Sequence, residues 1–252
     1  MINKLIKVHP AGDIAELQLT RPPVNALTPE LLAELRAELA AQPEAGARGL
    51  LITGREGLFS AGLDVPYLLQ QDEAGMRRLW MEFFSLVHEL TTSSVPVVAA
   101  VAGHAPAGGA VIALHCDYRV GARGDFLLGL NETTIGLPVP PSIHAALAWT
   151  IGRRQAARLV TGGLMLTPDE ALSVGLVDEL AEVADVRDRS IVYLKSLLAL
   201  PPVAMNTTRQ IARAELSAAT ANPDEHAKLA VQAWFSDETQ KCLAELAASL
   251  GK

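Results

Sequence analysis

The candidate catalytic group of this sequence is Glu132, a single carboxylate in a stretch that is otherwise poor in charge. It lies within Gly-Leu-Asn-Glu-Thr-Thr-Ile-Gly (129–136), with apolar residues on both sides, over 126–130 and 135–139. A carboxylate in apolar surroundings has a raised pKa, which suits a general base near neutral pH. Because a lone Glu in a loop is more often a solvated surface charge, Glu132 needs support from elsewhere in the chain.

A glycine-rich turn at residues 103–110, Gly-His-Ala-Pro-Ala-Gly-Gly-Ala, is the second candidate. It joins two apolar runs, 95–102 and 111–114, and this order predicts a strand, a turn and a helix start. Unpaired N–H groups at a helix start can bind a phosphate or a developing oxyanion. Close packing of a helix on a strand also requires glycine, so that alternative stays open. The turn matches neither GxGxxG nor the P-loop pattern, so nucleotide binding gains no support.

A third stretch, Phe-Ser-Ala-Gly-Leu-Asp at residues 59–64, has small residues where a backbone could approach a ligand closely. On its own it is consistent with an ordinary turn between a strand and a helix. The three stretches lie far apart along the chain, so only a fold that brings them together would make them one site.

The elements that must position these stretches alternate between strands and helices. Apolar patterning predicts strands over 3–9, 13–19, 50–53, 97–101 and 118–120, and helices that start at Thr28 or cover 73–91 and 108–116. Long crossovers between successive strands are typical of parallel β units. From residue 143 onward the prediction is almost wholly helical, and Pro201-Pro202 interrupts the chain. We therefore predict an α/β core over 1–200 and a helical region of two or three helices over 201–252.

Composition and charge restrict the partners. Half of the 252 residues are hydrophobic, which allows a sizeable core, and the net charge is −7 without a dense Lys/Arg cluster, which argues against nucleic acid. The apolar run 95–102 is too short to span a membrane. Cys116 and Cys242 lie far apart and outside any metal or redox motif, so we expect no metal site and a location in the reducing cytosol. The first twenty residues lack a signal-peptide core, and the final Ser-Leu-Gly-Lys is not a peroxisomal signal.

Together the three stretches resemble the crotonase (enoyl-CoA hydratase/isomerase) superfamily, and the resemblance covers roughly residues 5–215. The segments that carry it are 21–27 (Arg-Pro-Pro-Val-Asn-Ala-Leu), 59–64, 106–109, 114–119 (Leu-His-Cys-Asp-Tyr-Arg), 151–157, 170–172 and 175–178. The resemblance implies an α/β fold in the form of a ClpP-like spiral of ββα units with a C-terminal helical region. It also implies a homotrimer or a dimer of trimers, with the helical tail covering the active site or joining subunits.

The resemblance also assigns roles by position. It implies that the backbone N–H groups of Leu63 and Gly108 hold the oxygen of an acyl-CoA thioester in an oxyanion hole. Coenzyme A is part of the substrate, and no separate cofactor is implied. The residues that match family positions for substrate and coenzyme A binding are Asn25, Ala26, Leu27, Ala61, Gly62, Asp64, Val65 and Asn131.

The reaction follows from which glutamates are present. Hydratases of this family use two, and the first lies three residues beyond the oxyanion-hole glycine, where this chain has Val111. The second matches Glu132. A valine cannot activate water, so the resemblance favours isomerisation of 3-enoyl-CoA to 2-trans-enoyl-CoA by a single glutamate, as in fatty-acid β-oxidation. The motif around Glu132 and the Pro-rich segment 137–142 also resemble mitochondrial-type 3,2-enoyl-CoA isomerases.

Two alternatives stay open. One is another crotonase reaction, such as hydration, decarboxylation or hydrolysis, which would share the fold and the oxyanion hole. The other is a non-catalytic acyl-CoA-binding protein, which would bind ligand without needing Glu132. Among the neighbouring residues, His104 fits a structural hydrogen bond, and Asp64 suits either a helix cap or a coenzyme contact. Trp80 and Phe83 suit either core packing or the wall of an acyl tunnel.

Overall fold

The computed structural model describes residues 4–250, which form two β-sheets enclosed by helices; residue 3, where the first strand was predicted to start, and the final Gly-Lys lie outside this range. The strands are β1 (Ile6–Ala11), β2 (Ile14–Leu19), β3 (Gly49–Thr53), β4 (Gly57–Leu58), β5 (Val97–Val101), β6 (Gly103–Pro106), β7 (Tyr118–Ala122), β8 (Leu128–Gly129), β9 (Met165–Leu166) and β10 (Glu179–Ala181). The helices are α1 (Pro29–Glu44), α2 (Val65–Leu68), α3 (Glu73–Thr92), α4 (Gly108–Leu114), α5 (Pro141–Ile151), α6 (Arg153–Gly162), α7 (Pro168–Val174), α8 (Val186–Leu198), α9 (Pro202–Ala212), α10 (Ala214–Thr220), α11 (Pro223–Trp234) and α12 (Asp237–Leu250), with short 3-10 helices at Glu132–Ile135 and Val183–Asp185.

The larger sheet has six strands in the order β1-β2-β3-β5-β7-β10. An antiparallel hairpin, β1–β2, forms one edge, and all other pairs are parallel. Strands β3 and β5 are buried along their whole length, which explains their uninterrupted apolar sequences. Parallel strands covered by helices on both faces read as continuous hydrophobic runs, so the predicted parallel α/β core is confirmed.

The smaller sheet has four short strands in the order β4-β6-β8-β9. Each of β3, β5 and β7 is followed by a strand in this second sheet, β4, β6 or β8, and then by helix, so the chain winds as the predicted spiral of ββα units. The sequence patterns did not predict these strands, and residues 103–106 were expected to be part of a turn. Two to four residues are too few to show a strand period, and their pairing partners are distant in sequence.

Side-chain caps and glycine define several helix ends, and the first helix starts after Thr28 as predicted. The side chain of Thr28 accepts a hydrogen bond from the Leu31 N–H at the start of α1. Thr167 and Glu170 form a reciprocal capping box at the start of α7, and Gly175 ends that helix in a left-handed conformation. Among the helices of residues 4–250, none has both the length and the apolar character that a membrane span requires.

Over 202–250, the described part of the chain after Pro201, there are four helices, α9–α12, rather than the two or three predicted. Arg213 separates α9 from α10, and Asn222, at φ +65°, precedes α11. Helix α11 packs along α3, and α12 contacts both α2 and the 3-10 helix at Glu132–Ile135. The helical region therefore lies against the elements that carry the candidate site.

Candidate active site

A cavity of about 640 Å³ lies between the end of β6, helix α3 and the C-terminal helices α11 and α12. The turn before α1, the loop before α2, the β6–α4 junction and the segment around Glu132 all border it. Its lining residues are Arg21, Pro22, Pro23, Val24, Ala26, Ala61, Leu63, Asp64, Val65, Pro66, Trp80, Phe83, Pro106, Ala107, Gly108, Asn131, Glu132, Ile135, Leu137, Pro138, Pro140, Ile143, Ala230, Ala233 and Leu246. The fold thus joins the three candidate stretches of the sequence into one site.

Glu132 begins the 3-10 helix on the wall of this cavity. Its Oε2 atom is buried and has no hydrogen-bond partner among the residues that the structure describes. Burial away from water raises the pKa of the Glu132 carboxyl group to about 7. Near neutral pH this group can therefore both accept and return a proton, as general acid–base catalysis requires.

The segment that carries Glu132 is fixed from two sides. The hydroxyl of Thr133 donates to the Val160 carbonyl of α6 at 2.6 Å. From the other side, the hydroxyl of Thr239 in α12 donates to the Gly136 carbonyl at 2.5 Å. Within the segment, the Leu137 N–H donates to the Glu132 carbonyl. These bonds hold the backbone of the candidate base without using its carboxylate.

Two backbone N–H groups face the same region. Neither the N–H of Leu63 nor that of Gly108 donates a hydrogen bond within residues 4–250. Gly62 lets the two loops touch: it has φ +80°, and a Cβ placed on it would lie 3.2 Å from the Gly108 nitrogen. Ala107, at φ +45°, holds a conformation that is unfavourable for a side chain, directly before Gly108. Such unpaired, pre-positioned donors could stabilise a negatively charged oxygen.

Asn25 lies behind the loops that carry Leu63 and Gly108 and stabilises their backbone. It is only 3% exposed, and its side-chain amide accepts from the Arg21 N–H and donates to the Phe59 carbonyl. The Ser60 hydroxyl donates to the Asn25 carbonyl and accepts from the Gly62 N–H. A buried polar network of this kind, with its members paired to one another, fixes the backbone that it connects.

Asp64 serves two structural purposes at the edge of the cavity. Its carboxylate caps α2 by accepting from the Tyr67 N–H, and it pairs with the Arg21 guanidinium at 2.6 Å. Arg21 also donates to the Ala26 carbonyl. The ion pair therefore joins the segment before α1 to the loop before α2 at the cavity lining.

The predicted site residues divide into two groups. Asn25, Leu27 and Gly62, predicted to touch coenzyme A, are absent from the cavity lining and hold the backbone behind it. The predicted residues that line the cavity are Ala26, Ala61, Leu63, Asp64, Val65, Gly108, Asn131 and Glu132. The family resemblance implied that the helical tail covers the active site or joins subunits. Sequence reasoning did not identify Ala230, Ala233 and Leu246 as lining residues, because an amphipathic helix carries no signal that says which distant cavity it contacts.

Other polar residues near the site have structural explanations. His104 accepts a hydrogen bond from the Leu127 N–H through its Nδ1 atom, in the structural role that was predicted. His115 is fully buried, and burial lowers its pKa to about 4. Val111 lies in the core and is absent from the cavity lining. In the part of the chain that the structure describes, no group of three or more His, Cys, Asp or Glu residues could hold a metal ion.

Comparison with known proteins places this chain and its fold in a family. The model of the family described as "Enoyl-CoA hydratase/isomerase" matches residues 10–246. The chain therefore belongs to the enoyl-CoA hydratase/isomerase family. The crotonase fold is confirmed by a solved structure, the human mitochondrial delta3-delta2-enoyl-CoA isomerase, which superposes with a TM-score of 0.93 at 33% identity, covering 98% of each chain.

Two curated relatives are also named as enoyl-CoA isomerases. "Enoyl-CoA delta isomerase 1, mitochondrial" from Homo sapiens is 34% identical over 221 residues, which is 86% of this chain and 72% of the relative. Its counterpart from Mus musculus is 35% identical over 217 residues, which is 84% of this chain and 75% of the relative. These relatives are isomerases by name, which agrees with the isomerase subgroup indicated by the motif around Glu132.

The predicted cytosolic location is wrong in the light of these relatives, which are named as mitochondrial. That prediction depended on two cysteines without partners, and both are free in the structure. Free cysteines argue against an oxidising compartment, but they do not distinguish one reducing compartment from another.

Proposed function

We propose that this protein isomerises 3-enoyl-CoA to 2-trans-enoyl-CoA in fatty-acid β-oxidation, with Glu132 as the single acid–base group. The observation that carries the proposal is one buried carboxylate, with a pKa of about 7, on a cavity that also contains two unpaired backbone N–H groups. The named isomerases that are similar over most of the chain support the same reaction.

The proposed mechanism moves one proton. The thioester oxygen accepts hydrogen bonds from the N–H groups of Leu63 and Gly108, which form the oxyanion hole. Glu132 removes a proton from C2, and the electron pair delocalises into a dienolate whose negative oxygen faces these donors. The protonated Glu132 then donates to C4, the double bond forms between C2 and C3, and the carboxylate is regenerated. No water, metal or separate cofactor takes part in this sequence.

We further propose that the acyl-CoA contacts the predicted binding residues that line the cavity. These are Ala26, Ala61, Asp64, Val65 and Asn131. The Oδ1 atom of Asn131 is buried and unpartnered within the described residues, so it can accept a hydrogen bond from the substrate. Asn25, Leu27 and Gly62 contribute by holding the walls in place.

The test is an assay of trans-3-hexenoyl-CoA that follows formation of the conjugated product, with wild-type protein and Glu132→Gln. The wild type should turn over, and the variant should lose kcat by roughly 10²–10⁴-fold, as for other acid–base groups. Coenzyme A affinity should persist in the variant, because Glu132 touches the acyl part. A fully active variant would remove Glu132 from the mechanism.

The same assay separates the alternatives. Hydration is disfavoured because Val111 is buried in the core and supplies no second carboxylate to the cavity. Turnover of a malonyl-type thioester in place of the 3-enoyl substrate would indicate a different crotonase reaction. Tight binding of acyl-CoA without any turnover would indicate a binding protein.

We also propose that the chain forms a homotrimer or a dimer of trimers and that residues 201–252 take part in both active-site covering and assembly. Covering is supported by Ala230, Ala233 and Leu246, which line the cavity. Assembly is supported by α9, which buries none of its residues and exposes Val203 and Ile211. Light scattering that shows a monomer at assay concentration would contradict the assembly.

A further inference from the structure

The two donors of the proposed oxyanion hole come from different parts of the chain and must be held at a fixed spacing. Leu63 lies in the loop after β4, and Gly108 begins α4. A donor stabilises an oxyanion when it lies about 2.7–3.1 Å from the oxygen, so a small displacement of either loop weakens one of the two bonds. A residue that fixes the spacing of the loops therefore affects catalysis without touching the substrate.

Ser60 contacts both loops. It is completely buried, and its hydroxyl accepts from the Gly62 N–H at 3.2 Å, directly before Leu63. On its other side lies the backbone of Gly109, since a Cβ placed on Gly109 would be 2.6 Å from the Ser60 carbonyl oxygen and 3.3 Å from the Ser60 Cβ. Ser60 is absent from the cavity lining, so a ligand in this cavity would not touch it.

The bonds around Gly62 set the direction of the Leu63 N–H. The Gly62 N–H is held by the Ser60 hydroxyl, and the Gly62 carbonyl accepts from the Leu27 N–H at 2.7 Å. That carbonyl and the Leu63 N–H belong to one peptide unit, which is planar and trans, so they point in opposite directions. The Leu63 N–H therefore points away from Leu27.

The Ser60 hydroxyl is in turn fixed by a third segment. It donates to the Asn25 carbonyl at 2.7 Å, so its only hydrogen is already used. The side-chain amide of Asn25 donates to the Phe59 carbonyl, directly before Ser60. The hydroxyl therefore cannot rotate away from the Gly62 N–H without breaking a second buried bond.

We propose that Ser60 is a positioning residue, whose hydroxyl fixes the distance and direction of the Leu63 N–H relative to the Gly108 N–H. This inference rests on the proposed isomerase function and adds a residue to its machinery. Without the hydroxyl, the Gly62 N–H and the Asn25 carbonyl lose a partner, and the peptide that carries the Leu63 N–H is held from one side only. The enolate oxygen loses more from this displacement than the neutral thioester oxygen does, because it carries the negative charge.

The first measurement is the isomerisation of trans-3-hexenoyl-CoA by wild type, Ser60→Ala, Ser60→Cys and Ser190→Ala. In Ser60→Ala, kcat should fall about 10–100-fold while KM changes less than about threefold, a smaller effect than complete removal of a donor. Ser60→Cys should give an intermediate kcat, because a thiol is a weak donor and acceptor.

Ser190 provides the matched control. It is equally buried, its hydroxyl donates to the Val186 carbonyl within α8, and it is not a lining residue of the cavity. Ser190→Ala therefore removes a buried hydroxyl without touching either loop of the proposed oxyanion hole. Its kcat should stay within about twofold of the wild-type value, since its bond lies far from the reacting atoms.

The second measurement detects enolate stabilisation without turnover. Bound 3-oxohexanoyl-CoA loses its C2 proton as pH rises, and near-ultraviolet absorbance follows the enolate that forms. In Ser60→Ala the midpoint of this ionisation should rise by about one pH unit, which corresponds to an enolate about tenfold less stable. The affinity for hexanoyl-CoA, which stays a neutral thioester, should change less than about threefold. A purely structural role of Ser60 would lower protein stability and leave the midpoint unchanged.

The outcomes separate this inference from the function on which it rests. A wild type that stabilises the enolate but does not isomerise trans-3-hexenoyl-CoA contradicts the proposed function, and the midpoint in Ser60→Ala then still decides the role of Ser60. A wild type that does neither contradicts both. An unchanged midpoint in Ser60→Ala, or a rise in KM with kcat unchanged, overturns the positioning role. If Ser60→Ala does not fold, Ser60→Cys gives the decisive midpoint, because its sulfur fills the buried position.

Discussion

The Glu132 carboxyl group has an unusual pKa for a physical reason that leads to a test of pH dependence. Burial raises its pKa to about 7, and only the ionised form can remove the C2 proton. We therefore expect kcat/KM to rise with pH through about 7 and to level off above it, as for a free enzyme with one essential base. A pH profile between 5 and 9 measures this. A rate that is already constant below pH 6 would show that Glu132 is ionised there and that burial does not control it.

The same burial carries a cost in stability that depends on pH. Because the pKa in the folded protein is above that of the unfolded chain, the folded state binds more protons between these values, and stability falls as pH rises. A pKa shift from 4.5 to about 7 corresponds to a decrease of at most about 3 kcal/mol in the free energy of unfolding. The full decrease is reached at pH values above the pKa of the folded protein. Glu132→Gln should therefore raise the unfolding free energy more at pH 8 than at pH 5, as measured by urea titration. An equal effect at both pH values would contradict this origin of the pKa.

The sequence predicted the chemistry of Glu132 only in part. Its apolar neighbours at 126–130 and 135–139 indicated a raised pKa, and Leu137 does line the cavity beside it. The structure adds walls from α3 and α11, which come from far away along the chain. Local sequence shows what a residue is surrounded by along the chain, whereas desolvation depends on what surrounds it in space.

At the scale of elements, a hydrogen bond joins α12 to the segment that carries the proposed base Glu132. The Thr239 hydroxyl is buried and donates to the Gly136 carbonyl, directly after the 3-10 helix that begins with Glu132. Thr239→Val should leave that partly buried carbonyl unpaired, cost about 1–3 kcal/mol of stability and lower kcat more than it changes KM. Steady-state kinetics and thermal unfolding measure the two effects.

Two variants serve as controls for Thr239. Thr239→Ser keeps the hydroxyl and should restore kcat. Ser249→Ala removes a hydroxyl from the exposed end of the same helix, where it donates to the Leu246 carbonyl, and should change neither quantity. If the valine variant keeps its full kcat, α12 only covers the site and does not position it.

Asp117 attaches the C-terminal helices to the core. Its Oδ1 atom accepts from Arg209 at 2.7 Å and from Arg213 at 3.0 Å, and its Oδ2 atom accepts from the Val97 N–H. Asp117→Asn would leave two largely buried guanidinium groups without their counter-charge. We expect a loss of about 3–5 kcal/mol in the free energy of unfolding, as for other broken buried ion pairs.

The exposed ion pair between Arg77 and Asp224 provides the matched control. Both side chains are well exposed, so Asp224→Asn should cost less than about 1 kcal/mol in the same urea titration. Equal losses in the two variants would show that the Asp117 cluster does not anchor α9 and α10. The segment 114–119, which contributed to the family resemblance, thus acts here through packing and charge rather than through chemistry.

Sequence patterns predicted elements well where those elements are long and poorly where they are short. The predicted helix over 73–91 is α3, and the strand 97–101 matches β5. The two-residue strands β4, β8 and β9 have no period of their own, and they form because the larger sheet aligns their partners. The missed strands include β6, which ends directly before Ala107 and the proposed oxyanion-hole residue Gly108.

At the scale of the whole molecule, the spiral fold brings segments that are far apart in the sequence together at one cavity. The parallel bridge between Leu27 and Leu63 joins the segment after β2 to the loop after β4, and Gly62 then meets the β6–α4 junction. Three successive turns of the chain therefore meet at a single wall of the cavity. The spacing of these segments along the sequence does not predict that they meet. That they form one site was expected from the family resemblance.

The last prediction concerns assembly, because α9 has an apolar surface that the single chain does not cover. Val203 is 80% exposed and Ile211 is 71% exposed, both on a helix without buried residues. Water contact at such side chains is unfavourable, and burial between subunits would remove it. Val203→Asp combined with Ile211→Asp should shift the proposed trimer to smaller species in light scattering, because charges would then be buried at the interface. Lys228→Asp, at an exposed position of α11, should leave the mass unchanged. An unaltered mass in the double variant would exclude α9 from the subunit interface and restrict the helical region to covering the active site.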